Sequence, residues 1–337
     1  MQQPSSRVRS DRMLGKLASR YPLTRLAWIS IAAALATIAI KTLAWALTDS
    51  VGFLSDAAES VVNLAAAVMA LLILHWVARP ADAEHMYGHE KAEYFSAGAE
   101  GTMICIAAAG IGYAAIQRLL NPVHLQDVGI GVAVSVCAAA LNLFVARLLI
   151  HAGTAHASLT LEADGRHLMT DVWTSAGVVV GVAAVGITGW ETLDPLIALA
   201  VAANIVVTGI RLMRRSAAGL MDRALSGADL AKIDTILERY ARPEIQFHAL
   251  RTRRAGRRSF VTFHLLVPGS WTVRRGHDLV EQIEDDLHEV LVNATVTVHL
   301  EPIEDPRSFE DVGLDRRASA RSAPASSGTV RAHHKTR

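Results

Sequence analysis

Residues 52–77 read GFLSDAAESVVNLAAAVMALLILHWV, an apolar run that still carries Asp56, Glu59 and Asn63 in its first half. As a helix it is long enough to cross the ~30 Å of hydrocarbon in a bilayer. A charge at that depth costs ~3 kcal/mol on insertion scales, so each one calls for a partner or a function. Working outward, runs of the same kind recur near 26–47, 95–118, 128–150, 160–188 and 195–213. The fold class that follows is an α-helical membrane protein with six transmembrane helices.

Composition agrees. Of 337 residues, 51% are hydrophobic and 19% charged, and the mean hydropathy is +0.29. That is too apolar for an ordinary soluble domain, and it excludes a disordered chain or a collagen-like fibre. With two cysteines, Cys105 and Cys137, both inside apolar runs, a disulfide-stapled mini-protein is excluded too, and both read as small buried hydrophobes. The net charge of +1 speaks neither for nor against a nucleic-acid partner.

Four segments follow: a basic cytoplasmic N-terminal stretch over 1–22, a six-helix transmembrane domain over 23–215, a cytoplasmic domain over 216–305, and a tail over 306–337 that reads as disordered. The first span is long, lacks a small-residue cleavage pattern and is followed at once by a second, so it reads as a retained helix. Arg7, Arg9, Arg12, Lys16, Arg20, Arg25, Arg79, Lys91, Arg147, Arg166, Arg211, Arg214 and Arg215 all fall on one side. Asp49, Asp127, Glu191 and Asp194 fall on the other. The basic side is cytoplasmic, which puts both termini inside a multi-pass protein of a bacterial-type inner or plasma membrane.

In the polar domain the pattern predicts a helix over 227–240, strands over 245–254 and 258–267, a helix over 272–290 and a strand over 294–301. The order αββαβ is that of a small α+β sandwich, ferredoxin-like or metallochaperone-like. Arg251, Arg253, Arg254, Arg257 and Arg258 crowd its first hairpin, which reads as a solvated edge near anionic lipid rather than a nucleic-acid surface.

Inside the spans, Glu59 and Asn63 are four apart, as are His167 and Asp171 in the fifth span, and i, i+4 spacing puts each pair on one helix face. Two such helices can surround one ion with two carboxylates, an amide oxygen and an imidazole nitrogen, a donor set of about −2 charge suited to a divalent transition metal. Facing carboxylates repel when no cation sits between them, so metal and protons compete for the site. Asn63 alone is as readily an interhelical hydrogen-bond contact, and Asp56 reads as part of an outer vestibule. Lys41 is placed to snorkel outward or to pair with Asp49 or Asp56. Gly177 and Gly181 form a GxxxG step that permits close helix contact.

The stretches LTDSVGFLSDAAESVVN (47–63), RPADAEHMYGHEKAEYFSAG (79–98), EADGRHLMTDVWTSAG (162–177) and LMDRAL (220–225) resemble the cation diffusion facilitator family of divalent metal/proton antiporters, nearest its ferrous-iron and zinc efflux type. The resemblance runs from about residue 23 to 303. It implies a transport site at Glu59, Asn63, His167 and Asp171, a loop metal site at Asp82, His85 and His89, and a cytoplasmic metal set of His248, His264, His277, His299 and Glu301. It also implies an interfacial charge pair of Lys91 with Asp222, and a homodimer held by the cytoplasmic domain. Glu and Asn replace the Asp or His and the Asp more usual in span two.

The expected function is efflux of a divalent transition metal, Zn²⁺ or Fe²⁺ before Co²⁺ or Mn²⁺, in exchange for protons by alternating access. The metal is both substrate and regulatory ion, no organic cofactor is implied, and the partners are the bilayer, metal ions, protons and a second copy, without nucleic acid. An intramembrane metalloprotease is disfavoured: no HExxH occurs, residues 89–93 reading HEKAE. The remaining alternative is a membrane metal sensor or scaffold of the same fold.

Overall fold

A computed structural model describes residues 23–48, 51–121, 128–190, 192–291 and 293–310. The N-terminal basic stretch, most of the tail, and Asp49, Asp127 and Glu191 lie outside these residues, as do the side chains of Asp56, Glu59 and Asp194. By its contacts the chain divides into two units, Met1–Arg223 with Arg254–Arg258, and Ala224–Arg253 with Ser259–Arg337.

Among the described residues the first unit has six long helices: α1 (Leu23–Thr48), α2 (Val51–Val77), α3 (Ala92–Leu120), α4 (Val128–Ala155), α5 (Leu159–Thr188) and α6 (Leu193–Leu220). Among the described residues, four stretches are long and apolar enough to cross a membrane, Leu23–Leu43, Ala92–Leu120, Val136–Ala155 and Pro195–Leu220, with a shorter apolar stretch at Asn63–Val77. α5 falls short because its first half is strongly polar. Burial explains how it can be: nearly every side chain from Ser158 to Asp171 is enclosed. One apolar cluster joins α5 through Leu161 and Leu168 to α1, α2 and α4, and another joins it through Leu159 and Ala163 to Tyr94 and Ile104 of α3 and Ile205 and Leu212 of α6.

Two close approaches lock this arrangement. A Cβ on Gly165 of α5 would lie 2.9 Å from the Ala146 carbonyl oxygen of α4, and one on Gly209 of α6 would lie 2.9 Å from the Gly101 carbonyl oxygen of α3. Gly177 faces Val201 of α6, whereas the side of Gly181 is outside the described residues. The start of α5 is held by a neighbour's carboxylate: Glu93 Oε2 accepts from the Ser158 hydroxyl at 2.7 Å and the Thr160 N–H at 3.2 Å. A negative group there meets the unpaired amides and the positive end of the helix dipole.

Two readings are corrected. Cys137 is exposed on α4, not buried, while Cys105 is half-buried, and both are free thiols. Lys41 is buried to 9% exposure, and the side chains of Asp49 and Asp56, its two expected partners, lie outside the described residues. The arginine hairpin is not a freely solvated edge: Arg251, Arg253, Arg254 and Arg257 are all partly buried, and the Arg253 guanidinium stacks 4.0 Å from the Phe260 ring.

The second unit runs α7 (Gly227–Tyr240), β1 (Gln246–Ala255), β2 (Arg258–Val267), α8 (Val273–Val290) and β3 (Ala294–Pro302), the αββαβ order expected. Ser226 and Thr272 cap the two helices, accepting from the amides of Asp229 and Arg275. The sheet order is β1-β2-β3, and β2 pairs parallel with β3 because α8 carries the chain back across the sheet. Val261, Phe263 and Leu265 of β2 pack on Ile233 and Ile236 of α7 and Ile283 and Leu287 of α8. Each such side chain stabilises the fold by ~1.5–3 kcal/mol. In β1, Ala249 takes φ +50, which breaks the alternation so that Phe247 and Leu250, three apart, both reach the core.

Candidate functional site

A buried polar cluster in the helical unit joins α2, α4 and α5. His167 and Asp171, one turn apart on α5, both meet Asn63 of α2: His167 Nε2 lies 2.6 Å from Asn63 Oδ1, and Asn63 Nδ2 donates to Asp171 Oδ2 at 2.5 Å. All three are buried. Because Asn63 Oδ1 can only accept, the network assigns the imidazole proton to Nε2 and leaves the Nδ1 lone pair open. His167 Nδ1 has no hydrogen-bond partner among the described residues. A buried acceptor without a donor is unfavourable in an apolar setting. Glu59, the fourth residue of the predicted set, has its side chain outside the described residues. The same holds for Asp56.

Sequence reasoning missed a fourth participant. Asn142 of α4 donates from Nδ2 to the same Asp171 Oδ2 at 3.1 Å. It also missed a set of buried acids around the first turns of α5. Glu100 and Asp164 are 0% and 1% exposed, the former accepting from Ser96 at 3.2 Å. Glu162 is held by both Arg166 and Arg215. The periodic signal existed, since Asp164, His167 and Asp171 stand at i, i+3 and i+7, one helix face.

In the loop between α2 and α3, Asp82 Oδ1 lies 3.2 Å from His85 Nδ1 and Asp82 Oδ2 lies 3.2 Å from His89 Nε2. The three candidate ligand atoms lie within 4.8 Å of one another. Gly88 at φ +86 makes the turn between the two histidines, and Trp76 stands beside both rings. The His85 amide, donating to Asp82 Oδ1 at 2.7 Å, holds the Asp82 carboxyl below the usual carboxylate range. At the end of this loop Lys91 Nζ meets Asp222 Oδ1 at 2.9 Å, both half-exposed.

A third cluster occupies the sheet face away from α7 and α8. His248 Nε2 and His264 Nδ1 are 3.1 Å apart, and each lies 3.1 Å from Glu301 Oε2. Register explains the meeting: His264 pairs with His299 and Leu266 with Glu301 across the parallel strands, so both β3 residues face the side that His264 faces. His299 Nδ1 is 3.5 Å from Glu301 Oε1 and 58% exposed. His277 is not brought to this cluster within the chain: it stands on α8, 63% exposed, 3.7 Å from Glu281.

Long apolar helices around a buried His–Asn–Asp cluster, with carboxylate–histidine groups in a loop and on a separate sheet, define a multi-pass membrane protein that handles cations. Comparison with known proteins makes the class specific. Residues 27–221 match the cation efflux transmembrane domain, and residues 225–303 match the cytoplasmic domain of cation efflux proteins. The chain belongs to the cation efflux, or cation diffusion facilitator, family of transporters. It is 52% identical over 298 residues to the uncharacterized transporter sll1263 of Synechocystis sp., covering 88% of this chain and 94% of that one. It is 32% identical over 289 residues to the cation-efflux pump FieF of Shewanella oneidensis, covering 86% and 94%. Among solved structures, the metal-bound C-terminal domain of the CzcD transporter from Thermotoga maritima aligns with 24% of this chain and 99% of its own length, at 26% identity and a TM-score of 0.22.

Proposed function

We propose that the protein exports a divalent transition metal, Zn²⁺ or Fe²⁺ foremost, in exchange for protons, by alternating access in a homodimer with six membrane spans. Family membership supports efflux of a metal cation by a transporter rather than an enzyme. The observation that carries the site is the meeting of Asn63, His167 and Asp171 at mid-helix, three ligand-type side chains buried together. Together with Glu59 these residues take the ion from the cytoplasm and release it outward as protons bind the carboxylates and the imidazole.

On this reading the other two clusters are regulatory. Asp82, His85 and His89 hold an ion at the cytoplasmic loop, and His248, His264, His299 and Glu301 hold one on the soluble domain, where it draws two copies together and biases the rocking of the helices. His277, exposed on α8, joins such a site only through rearrangement or from a second copy. The Lys91–Asp222 pair ties the loop to the end of α6.

The test is exchange itself. In vesicles reconstituted with the full chain and loaded with both a metal indicator and a pH indicator, Zn²⁺ or Fe²⁺ movement is accompanied by proton movement in the opposite direction. Metal bound without flux supports the sensor or scaffold reading and contradicts transport.

A further inference from the structure

Asn142 lies in an otherwise apolar stretch of α4, is 2% exposed, and spends its amide hydrogen on Asp171 Oδ2, the oxygen that also accepts from Asn63. Its own oxygen, Oδ1, is buried and meets no donor among the described residues. An amide kept only to join helices has use for both ends, and here one end is left over. Its placement is also set tightly, because a Cβ on Gly165 of α5 would lie 2.9 Å from the Ala146 carbonyl oxygen and 2.8 Å from the Ile150 side chain of α4.

We propose that Asn142 is a specificity-determining residue of the transport site. Its Nδ2 orients Asp171 in the described arrangement, and rotation of the amide about χ2 offers Oδ1 to the transported ion as a further oxygen ligand. An amide is suited to both tasks because one end donates to a carboxylate and the other accepts a cation. With two amide oxygens beside one imidazole, the donor set is harder than an imidazole-rich one, which raises acceptance of Mn²⁺ and Fe²⁺ relative to Zn²⁺. This inference rests on the reading that His167 and Asp171 hold the transported ion.

The test is the ratio of Mn²⁺ to Zn²⁺ flux in vesicles carrying the full-length protein, under one pH gradient, for the wild type and for Asn142→Ser, Asn142→His and Asp171→Ala. The ratio falls about tenfold in Asn142→His, the size of one charged hydrogen bond or ligand contact, and in the same direction in Asn142→Ser. A ratio within about twofold of the wild type in either variant, with Asp171→Ala inactive, overturns the role of Asn142 and leaves the site standing. Normal flux in Asp171→Ala overturns the site reading itself. Asn142→Ser is the smaller of the two changes and keeps the ratio measurable if the bulkier histidine disturbs the helix contact.

Discussion

His167 Nε2 lies 2.6 Å from Asn63 Oδ1, so the helix that carries the imidazole and the helix that carries the amide are joined at the point where the ion is expected. The bond assigns the imidazole proton to Nε2 in this arrangement. Asn63→Asp therefore inserts a second titratable acceptor beside Asp171 and replaces a donor with a like charge. The variant folds, and its transport shifts in metal preference or pH dependence, read as flux across a pH series. A profile superimposable on the wild type contradicts Asn63 as a ligand.

Glu93 caps α5 from the neighbouring α3. Removing it in Glu93→Ala leaves the Ser158 hydroxyl and the Thr160 amide without their acceptor at a buried helix end, a loss of about 1–3 kcal/mol. Thermal unfolding in detergent shows the drop, and Glu93→Gln recovers part of it because an amide oxygen still accepts. Equal stability of the alanine variant and the wild type contradicts the capping role.

Asp82 is accessible and bound by the His85 amide, which depresses its folded pKa. A depressed carboxyl contributes stability that is present above the unfolded value and is lost as pH falls through the lowered one. The carbon-13 shift of the Asp82 carboxyl should thus titrate with a midpoint below about 3.9. A midpoint at or above that value contradicts the loop geometry. In the same loop, Asp82→Ala should lower bound zinc by about one ion per chain on elemental analysis, in keeping with a single three-residue site.

Glu301 contacts both His248 and His264 through one oxygen and His299 through the other. Glu301→Ala leaves histidines with no shared carboxylate, so zinc-dependent self-association of the protein in detergent weakens by about tenfold or more. Sedimentation with and without zinc checks this, and an unchanged zinc response contradicts a metal role for the cluster.

Periodicity made the six helices and the cytoplasmic αββαβ order legible, with ends displaced by a few residues. The i, i+4 spacing of His167 and Asp171 did the same for the core of the site. The sequence was silent where a function depends on one residue in an apolar run: Asn142 is a lone amide among alanines and leucines, and only helix packing shows what it faces. Burial of polar groups was equally hidden. Lys41 and Glu100 stand near span ends in the linear sequence, yet neighbouring helices enclose both. The GxxxG step at Gly177 drew attention by its spacing, whereas the approach of α3 to α6 uses Gly101 and Gly209, isolated on separate helices.

The central claim is that one cluster at mid-helix carries the ion. It is tested most directly by metal flux at a fixed pH gradient in vesicles containing wild-type, His167→Ala or Asp171→Ala protein, each shown to retain its oligomeric state by size-exclusion chromatography. Flux in the wild type and none in either variant is the predicted result; wild-type flux in either variant contradicts the assignment.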